Sequence, residues 1–488
     1  MSAHLRRTRI IATLGPATDV PGMLKRVLAE GADVVRLNFS HGEADDHRAR
    51  AAAVREVAVE LGREVAILGD LQGPKIRVER FAEGAVHLEV GAAFTLDCRP
   101  DAPAGDAARV GVGYHELWRD VRPGDTLLLD DGLIALEVID VVPQQVRCRV
   151  LVGGRLSDRK GINRLGGGLT VAALSDKDRA DIRLAAELGV DFLAVSFVKD
   201  AADVEQARAL LREAGGDAAV VAKIERSEAI GALGEIVDAA DVVMVARGDL
   251  GVEIGDAELP GLQKKIIRET LERSRIVITA TQMMQSMVES PIPTRAEVLD
   301  VANAVIDGTD AVMLSQETAS GRHPEKAVAA MRRVCLGAER QFEAGDDFAP
   351  GREPLDRTDQ AIALATMFLS ARIGVRAIVA LTESGATARW LSRHRSSVPI
   401  YALSRNVRAR RRMLLYRDVF PIEFDPHDVG PTQAARAAIQ HLFDLGHLAE
   451  DDRVILTNGD HTGQLGGTNT LKLLRVGAGG LAIGLGDL

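Results

Sequence analysis

The stretch Ala-Lys-Ile-Glu at 222–225 and the stretch VVMVARGDLG at 242–251 decide how the rest of the chain is interpreted. Each is an apolar run that ends in charged residues, which is typical of a buried parallel strand whose carboxyl end opens on a site. Lys223 and Glu225 are two residues apart, so on a strand their side chains point to the same side. The sequence therefore predicts an ammonium beside a carboxylate at the end of a buried strand.

Asp249 follows the second apolar run, inside the sequence Arg-Gly-Asp-Leu-Gly. The glycines predict a tight turn whose backbone N–H groups are free to meet an anion. Glu225 and Asp249 are then expected to share one divalent cation, because Mg²⁺ prefers a couple of carboxylates together with water and substrate oxygens. The alternative interpretation of each fragment is a structural ion pair and an ordinary Asp-Gly turn.

Length and composition limit the class of protein. A chain of 488 residues exceeds what one core usually holds, and 46% hydrophobic with 27% charged residues is typical of a soluble globular protein. The net charge of −10 argues against a nucleic-acid surface. The three cysteines, Cys98, Cys148 and Cys335, form no CxxC motif and fit a reducing cytoplasm. With no apolar leader region and no apolar span of membrane length, we expect neither secretion nor a membrane anchor.

Strand and helix patterns alternate along most of the chain, which predicts an α/β fold. The predicted barrel strands are 8–14, 33–39, 64–69, 192–198, 220–225, 242–246, 276–281 and 311–314. Short β-rich runs interrupt them at 76–168, and the Gly-rich exit 155–171 is expected to act as a hinge linker. The prediction is a (β/α)8 TIM barrel (1–75 and 169–345) with an inserted all-β domain (76–168) and a C-terminal α/β domain (346–488). Its motif residues fall at the carboxyl ends of strands, where barrel enzymes carry their chemistry.

Several long motifs occur in a fixed order: RLNFSHG, GDLQGPKIR, AKIER, MVARGDLGVEI, TATQMMQSM and VMLSQETASG. In this order they resemble pyruvate kinase, and the resemblance runs from about Thr8 to Val476. Such a series is far more specific than a single Gly-rich motif. The resemblance implies transfer of the phosphoryl group of phosphoenolpyruvate to ADP, giving pyruvate and ATP in glycolysis. It also implies Mg²⁺ or Mn²⁺ as cofactor and a small domain that closes over the nucleotide.

The chemistry requires cations around the phosphoryl oxygens and positive charge where the enolate oxygen develops. The resemblance implies catalytic roles for Arg36, Lys223 and Thr281, metal ligation by Glu225 and Asp249, substrate contacts from Arg36, Ser196, Lys223, Ala246, Arg247, Gly248, Asp249 and Thr281, and nucleotide contacts from Asn38, His41, Arg77 and Lys160. The proton donor to the enolate stays open between Thr281 with a water relay and the stretch Ser315-Gln316-Glu317. Taken alone, Arg36 and Arg77 read as surface ion-pair residues.

The stretch 69–75, Gly-Asp-Leu-Gln-Gly-Pro-Lys, departs from the commoner family wording, in which an Asp-Thr pair is followed by a glutamate. In relatives with that wording, an Asn, a Ser, the Asp and the Thr surround a potassium ion. Asn38, Ser40 and Asp70 remain here, whereas Leu71 lacks the hydroxyl and Lys75 brings a tethered ammonium. We therefore expect activity that does not require potassium. The alternative is that Lys75 points to solvent.

The C-terminal domain carries the second candidate site. Hydroxyls and N–H groups at 382–387 precede a helix with Arg389 and Arg393, and form a phosphate-site candidate. Its residues are Thr382, Ser384, Gly385 and Thr387. The resemblance implies a homotetramer activated by a phosphorylated metabolite, and Ala386, where many relatives carry a basic residue, favours a sugar monophosphate or nucleotide over a bisphosphate. The alternative is a capped helix. The Gly-rich stretch 458–470 lacks the ending of a P-loop.

Two other functions compete with this interpretation. A Mg²⁺-dependent aldolase or lyase of pyruvate-like substrates would use a similar barrel, but the inserted β domain and Lys223 argue against it. A Schiff-base lysine needs a depressed pKa, and Glu225 beside Lys223 would raise that pKa instead. A non-catalytic relative would be expected to have lost one of the charged site residues, and none is lost.

Overall fold

The computed structural model describes residues 5–341, 355, 357–394, 396, 398–426, 429–460 and 466–485. The chain begins with alternating strands and helices: β1 (Arg9–Thr13), α1 (Met23–Ala29), β2 (Val34–Asn38), α2 (Ala44–Glu60) and β3 (Ala66–Asp70). Every residue of β1 and β3 is buried, as expected for strands covered on both faces. The three predicted strands are confirmed, with ends shifted by one or two residues.

An all-β domain follows β3. Its elements are β4 (Ala85–Leu88), β5 (Ala93–Asp97), β6 (Arg109–Gly111), α3 (Leu117–Asp120), β7 (Thr126–Leu129), β8 (Ile134–Val142), β9 (Gln145–Val152), β10 (Gly154–Ser157) and β11 (Ile162–Arg164). Six strands form a sheet in the order β11-β7-β8-β9-β5-β6, and β10 pairs antiparallel with β4. An apolar core of its own, including Phe94, Leu127 and Leu136, holds this domain together. We call it the lid domain. The expected linker 155–171 is wrong for its first part, because β10 and β11 are paired strands.

The barrel then resumes with α4 (Asp176–Leu188), β12 (Phe192–Val195), α5 (Ala201–Glu213), β13 (Ala219–Ile224), α6 (Ser227–Gly231), α7 (Leu233–Ala239), β14 (Val242–Ala246), α8 (Arg247–Ile254), α9 (Leu259–Glu272), β15 (Ile276–Ala280), α10 (Arg295–Asp307), β16 (Ala311–Leu314), α11 (Gln316–Ala319) and α12 (Pro324–Glu339). The strands close in the order β1-β16-β15-β14-β13-β12-β3-β2, and all their pairings are parallel. The predicted eight-stranded barrel is confirmed.

Local sequence signals set several helix ends. Ser175 caps α4 and Thr294 caps α10, each in a capping box with the acidic residue three positions on. Helix α9 begins at Leu259, with Pro260 in its first turn. Met283, Met284 and Met287 are fully buried, and of these Met287 lies on the short 3₁₀ turn Gln285–Val288.

The C-terminal domain contains α13 (Thr358–Ile373), β17 (Ala377–Leu381), α14 (Ala386–Ser392), β18 (Ile400–Ser404), α15 (Val407–Met413), β19 (Val419–Glu423), α16 (Pro431–Asp444), β20 (Arg453–Gly459), β21 (Thr468–Val476) and β22 (Ala482–Ile483). Its sheet runs β19-β18-β17-β20-β21-β22 and becomes antiparallel from β20 onward. The predicted C-terminal α/β domain is confirmed, whereas the predicted domain limits stay predictions. Residues 342–354 of the proposed boundary and residues 461–465 of the Gly-rich stretch lie outside the described residues.

A buried ion pair joins the two α/β domains. The guanidinium of Arg393, just after α14, binds both carboxylate oxygens of Asp310, which precedes β16 of the barrel. Asp310 also accepts backbone N–H groups from Val277 and Arg417. Because both charged side chains are almost inaccessible, this pair fixes α14 against the amino end of the barrel strands. Within the described part of the chain, no helix is long and apolar enough to cross a membrane.

Candidate active site

The charged motif residues meet at one end of the barrel. All eight strands are parallel, so their carboxyl ends share a face. The side chains found there are Arg36 on β2, Asp70 on β3, Ser196 after β12, Lys223 on β13, Glu225 after β13, Asp249 on α8 and Thr281 after β15. The structure thus brings the predicted phosphoryl, metal and pyruvyl residues to one face.

Lys223 lies at the centre of this group. Its Nζ lies 2.8 Å from Glu225 Oε1 and 3.3 Å from Asp70 Oδ1, and it donates a hydrogen bond of 2.6 Å to Ser196 Oγ. Burial lowers the pKa of Lys223, but the carboxylates of Asp70 and Glu225 outweigh burial and the net shift is upward. Lys223 is therefore a fixed cation and not a neutral amine.

Asp70 holds a second cation as well. Its Oδ2 lies 2.6 Å from Arg36 Nε, and Arg36 Nη1 donates to Thr13 Oγ1 at 3.2 Å. Burial raises the pKa of Asp70, but the charges of Lys223 and Arg36 lower it further than burial raises it. An anionic Asp70 thus separates two cations. Neither this role of Asp70 nor the contact of Thr13 with Arg36 was predicted from the sequence.

Glu225 is almost completely buried. Its Oε2 accepts a hydrogen bond of 2.8 Å from the backbone N–H of Phe197, which has a φ of +57°. This left-handed conformation is unusual for an aromatic residue and is typical of strain held at a functional site. Burial raises the pKa of Glu225, Lys223 lowers it, and the nearby Asp249 raises it again. The two carboxylates are therefore close enough to repel each other.

Asp249 lies in the first turn of helix α8, so the predicted tight turn at 247–251 is wrong. Helix α8 begins immediately after β14 and includes both glycines. Gly248 N, in its first turn, donates to Thr281 Oγ1 at 2.8 Å. Among the described residues there is no cluster of three or more His, Cys, Asp or Glu side chains that could hold a metal. The oxygen donors Glu225 and Asp249 nonetheless suit Mg²⁺, which completes its shell with water and substrate oxygens.

The side chain of Arg247 binds the backbone at the end of β15. Its guanidinium donates to Asp300 Oδ1 and to the backbone oxygen of Thr281, both at 2.6 Å, and to Ala280 O at 3.2 Å. Thr281 has a φ of +67°. The side chain of Arg247 therefore points away from the substrate face and holds Thr281 in a strained conformation, while Ala246 forms the helix cap.

Two residues of the stretch Ser315-Gln316-Glu317 have structural partners. Glu317 is fully buried, and its carboxylate accepts backbone N–H groups from Met284 at 3.1 Å and Ser315 at 2.7 Å. Gln316 accepts a hydrogen bond from Gln285. The hydroxyl of Ser315 is buried and has no hydrogen-bond partner among the described residues, so Ser315 and Thr281 both stay candidates for the proton donor.

The predicted nucleotide residues are divided between the barrel, with Asn38 and His41, and the lid domain, with Arg77 and Lys160. Burial lowers the pKa of His41, and the charges of Arg77, Arg36 and Lys75 lower it further, so these groups lie close together. Lys160 of the lid domain pairs with Asp130 at 2.7 Å. Asn38 Oδ1 accepts from Ser40 N at 3.1 Å and shapes the loop that carries His41.

Lys75 points into the cleft, with about a quarter of its side chain exposed. Its Nζ lies 3.1 Å from Asp249 Oδ1 and 4.0 Å from Asp131 Oδ1 in the lid domain. Gly73 brings this loop close to the site: a Cβ there would lie 2.7 Å from the Cβ of Ser196. Leu71 is buried and its side chain has no oxygen, although its backbone oxygen accepts a hydrogen bond of 2.8 Å from Ser196 Oγ.

The loop 382–387 lines a cavity in the C-terminal domain together with Arg405 and Gly466–Thr468. Its hydroxyls are engaged locally: Thr382 Oγ1 accepts from Gly385 N at 3.0 Å, and Thr387 Oγ1 lies 2.6 Å from Thr468 Oγ1. Gly385 has a φ of +83°. Arg393 does not serve the loop as expected, because it binds Asp310, and the guanidinium of Arg389 lies over the ring of Trp390.

Two family models match the chain in succession. Residues 5–328 match the model described as pyruvate kinase, barrel domain, and residues 360–474 match the model described as pyruvate kinase, alpha/beta domain. The chain belongs to the pyruvate kinase family. Members of this family are phosphotransferases, and the resemblance carried by the motifs is confirmed.

Whole-chain relatives agree with the family models. The chain is 53% identical over 480 residues to pyruvate kinase II of Salmonella typhimurium, covering 98% of this chain and 100% of the relative. It is 50% identical over 463 residues to a pyruvate kinase of Haemophilus influenzae, covering 94% and 97%. It is 48% identical over 480 residues to a pyruvate kinase of Buchnera aphidicola, covering 98% and 100%. Membership of the pyruvate kinase family favours the phosphotransferase over the alternative of an aldolase or lyase.

Proposed function

We propose that this chain transfers the phosphoryl group of phosphoenolpyruvate to ADP, giving pyruvate and ATP, with Mg²⁺ or Mn²⁺ as cofactor. The observation that carries the proposal is the position of Lys223, a buried ammonium held by Asp70, Glu225 and Ser196 at the carboxyl end of a barrel strand. Phosphoryl transfer is catalysed mainly by positioned charge, and such a cation needs no reorganisation during the reaction.

Lys223 and Arg36 act on the phosphoryl group. Asp70 sets the spacing of the two cations, because each of its oxygens faces one of them. As the phosphoryl group departs, negative charge develops on the enolate oxygen while the equatorial oxygens stay negatively charged, and the fixed ammonium and guanidinium stabilise both. Ser196 orients the Lys223 ammonium through the 2.6 Å hydrogen bond.

Glu225 and Asp249 are the proposed metal ligands. When bound, the divalent cation supplies positive charge to the substrate oxygens. Before it binds, Lys223 and Lys75 each neutralise one of these carboxylates.

The amino end of α8 and Thr281 are proposed to receive the pyruvyl part of the substrate. The first turn of a helix presents N–H groups that suit a carboxylate. Gly248 allows close approach, and its N–H exchanges its bond to Thr281 Oγ1 for the substrate carboxylate. The Thr281 hydroxyl, which donates to Ala280 O at 2.6 Å, then has an acceptor position open to water and relays a proton to the enolate through it.

We also propose that activity does not require potassium. The Lys75 ammonium lies in the cleft beside Asp249, where it supplies a monovalent charge without a binding equilibrium. Asn38, Ser40 and Asp70 retain the side-chain oxygens of the monovalent-cation region. Two of these residues already accept hydrogen bonds, Asn38 from Ser40 N and Asp70 from Arg36.

Regulation is proposed at the cavity lined by 382–387. Its hydroxyl groups, with Arg405 in the lining, suit a phosphorylated metabolite, for which a sugar monophosphate or nucleotide is the expected class. An activation screen tests this with Ser384→Asp as control: if no phosphorylated compound changes the phosphoenolpyruvate saturation curve, the loop is only a helix cap.

The proposal also includes a homotetramer located in the cytoplasm. Light scattering after gel filtration measures the mass of the assembly.

A coupled assay for pyruvate with phosphoenolpyruvate, ADP and Mg²⁺ tests the proposed reaction. A folded protein that forms no pyruvate under these conditions would contradict it.

A further inference from the structure

The chain returns from the lid domain to the barrel through three consecutive glycines. Gly166, Gly167 and Gly168 follow β11 and all have positive φ, between +73° and +92°. A Cβ at Gly167 would lie 2.0 Å from Ser227 Oγ and 2.7 Å from Glu228 Oε2. This segment, 165–168, is the return hinge, and it lies directly against the loop and helix that follow β13.

Glu253 lies at the centre of this contact. It is on α8, one turn beyond Asp249, and is 4% exposed. Its backbone oxygen accepts from Gly166 N at 2.9 Å, and its Oε1 lies 3.5 Å from Asn163 Nδ2 on strand β11. Its Oε2 accepts from Ser227 N at 3.0 Å. The side chain of Glu253 therefore joins the lid strand to the loop that follows Glu225, while its backbone oxygen holds the return hinge.

Other charged groups surround this carboxyl. Glu228 on α6 accepts from Gly168 N at 2.6 Å and pairs with Arg226 at 2.8 Å, while Arg226 also donates to Leu169 O. Lys75 lines the same small cavity as Glu253. On the hinge itself, Arg164 pairs with Asp125 and donates to Gly167 O.

Burial is the largest influence on Glu253. It raises the pKa of this carboxyl, the neighbouring Glu228 raises it further, and Ser227 N, Arg226 and the Asn163 side chain lower it, with a net rise to about 7. Part of this burial comes from the lid side, because Ile162 and Asn163 of β11 and Leu169 after the hinge line the same small cavity as Glu253. If the hinge moves away, water reaches the carboxyl and its pKa falls toward the ordinary 4.5.

We propose that Glu253 is a positioning residue that docks the return hinge of the lid domain against the metal-bearing loops, and that the hinge docks more firmly on the protonated carboxyl than on the carboxylate. The direction follows from linkage, because the state in which a group has the higher pKa is favoured when that group is protonated. Raising the pH through neutrality therefore loosens the hinge.

Hydrogen exchange of the hinge amides in the full-length protein without substrates tests the proposal. Exchange rates of residues 165–171 are divided by the intrinsic rate at each pH to give a protection factor. Between pH 6 and pH 8 we expect this protection to fall roughly tenfold in the wild type. In Glu253→Gln, which is always neutral, protection should stay at the pH 6 level of the wild type.

Two further variants keep the test sharp. Glu228→Gln keeps the titrating group but removes the like charge, so the fall in protection should remain and its midpoint should move to lower pH. Asn163→Ala removes the lid-side contact, so protection should be lower at pH 6. A wild type without the fall, an equal fall in Glu253→Gln, or an unchanged Asn163→Ala would each overturn the proposal.

A second measurement rests on the proposed function. The pH profile of KM for ADP should show an inflection near neutrality in the wild type and none in Glu253→Gln, with kcat changed by less than about threefold. Loss of kcat without loss of the inflection would assign Glu253 a merely structural role. Because hydrogen exchange is measured without substrates, its result stands even if the wild type forms no pyruvate.

Discussion

Asp70 Oδ1 lies 3.3 Å from Lys223 Nζ, while the other oxygen of the same carboxylate binds Arg36. The two cations proposed to act on the phosphoryl group thus share one buried anion. Without that anion, two positive charges would repel each other in a site with little water to screen them.

Asp70→Asn is therefore expected to lower kcat about 100-fold and to raise KM for phosphoenolpyruvate, because the spacing of Arg36 and Lys223 is lost. Asp191→Asn is the matched control: Asp191 is also buried and paired with arginine, through Arg55 at 3.1 Å. Thermal unfolding should show destabilisation in both variants, and steady-state kinetics should show the loss only in Asp70→Asn. Equal turnover in the two variants would show that Asp70 does not position Arg36 and Lys223 for the reaction.

Lys75→Glu tests the fixed cation. It replaces the ammonium beside Asp249 with a carboxylate, so activity in potassium-free tetramethylammonium buffer should fall at least tenfold and recover in part on adding KCl. The wild type should respond to KCl by less than about twofold. A strong rise of wild-type activity with KCl, or a Lys75→Glu variant that neither loses activity nor responds to potassium, would contradict the role of Lys75.

Glu253→Gln should change stability in a pH-dependent way. The pKa of Glu253 in the folded chain is raised to about 7 from 4.5, so the folded state binds the proton more tightly than the unfolded state. The carboxylate therefore destabilises the fold increasingly as pH rises from 4.5 to 7, by at most about 3 kcal/mol above that window. The variant should gain Tm relative to the wild type at pH 8 and gain none at pH 4.5. A gain of equal size at both pH values would be inconsistent with this titration.

Arg393→Ala removes the buried partner of Asp310 at the contact between barrel and C-terminal domain. An uncompensated buried carboxylate is expected to lower the free energy of unfolding by about 3–5 kcal/mol. Arg268→Ala, at an exposed pair with Glu272 on α9, should change it by less than about 1 kcal/mol. Denaturant unfolding of both variants measures the two changes in the free energy of unfolding. Similar decreases would show that the buried pair contributes no more to stability than the exposed pair.

The parts of the fold that a periodic pattern determines could be predicted. Fully buried parallel strands such as Val242–Ala246 stand out as apolar runs, and Lys223 and Glu225 meet as the two-residue period requires. The turn expected at Asp249 was wrong because the position of α8 against β14 overrides the preference of its glycines. The count of eight alternating strands predicted the closed barrel, and the family motifs implied the same arrangement.

Other features left no signal in the sequence. The N–H of Phe197 that binds Glu225 is a backbone group, which any residue type would supply. Asp300, which holds Arg247, lies 53 positions further along the chain on α10. The destination of Arg393 could not be predicted either, because its partner Asp310 belongs to a different domain. These contacts depend on how elements pack, and single-chain patterns do not encode that.

The most direct test of the account measures pyruvate formation from phosphoenolpyruvate, ADP and Mg²⁺ in the wild type, Lys223→Met, Asp249→Asn and the control Lys264→Met. Lys264 pairs with Asp307 on the exposed outer face of the barrel, so its variant should match the wild type. Because Lys223 and Asp249 act on charge that develops in the transition state, their variants should remain folded and lose several orders of magnitude in kcat. Folded variants of Lys223 or Asp249 that keep more than about a tenth of wild-type turnover would contradict the mechanism proposed here.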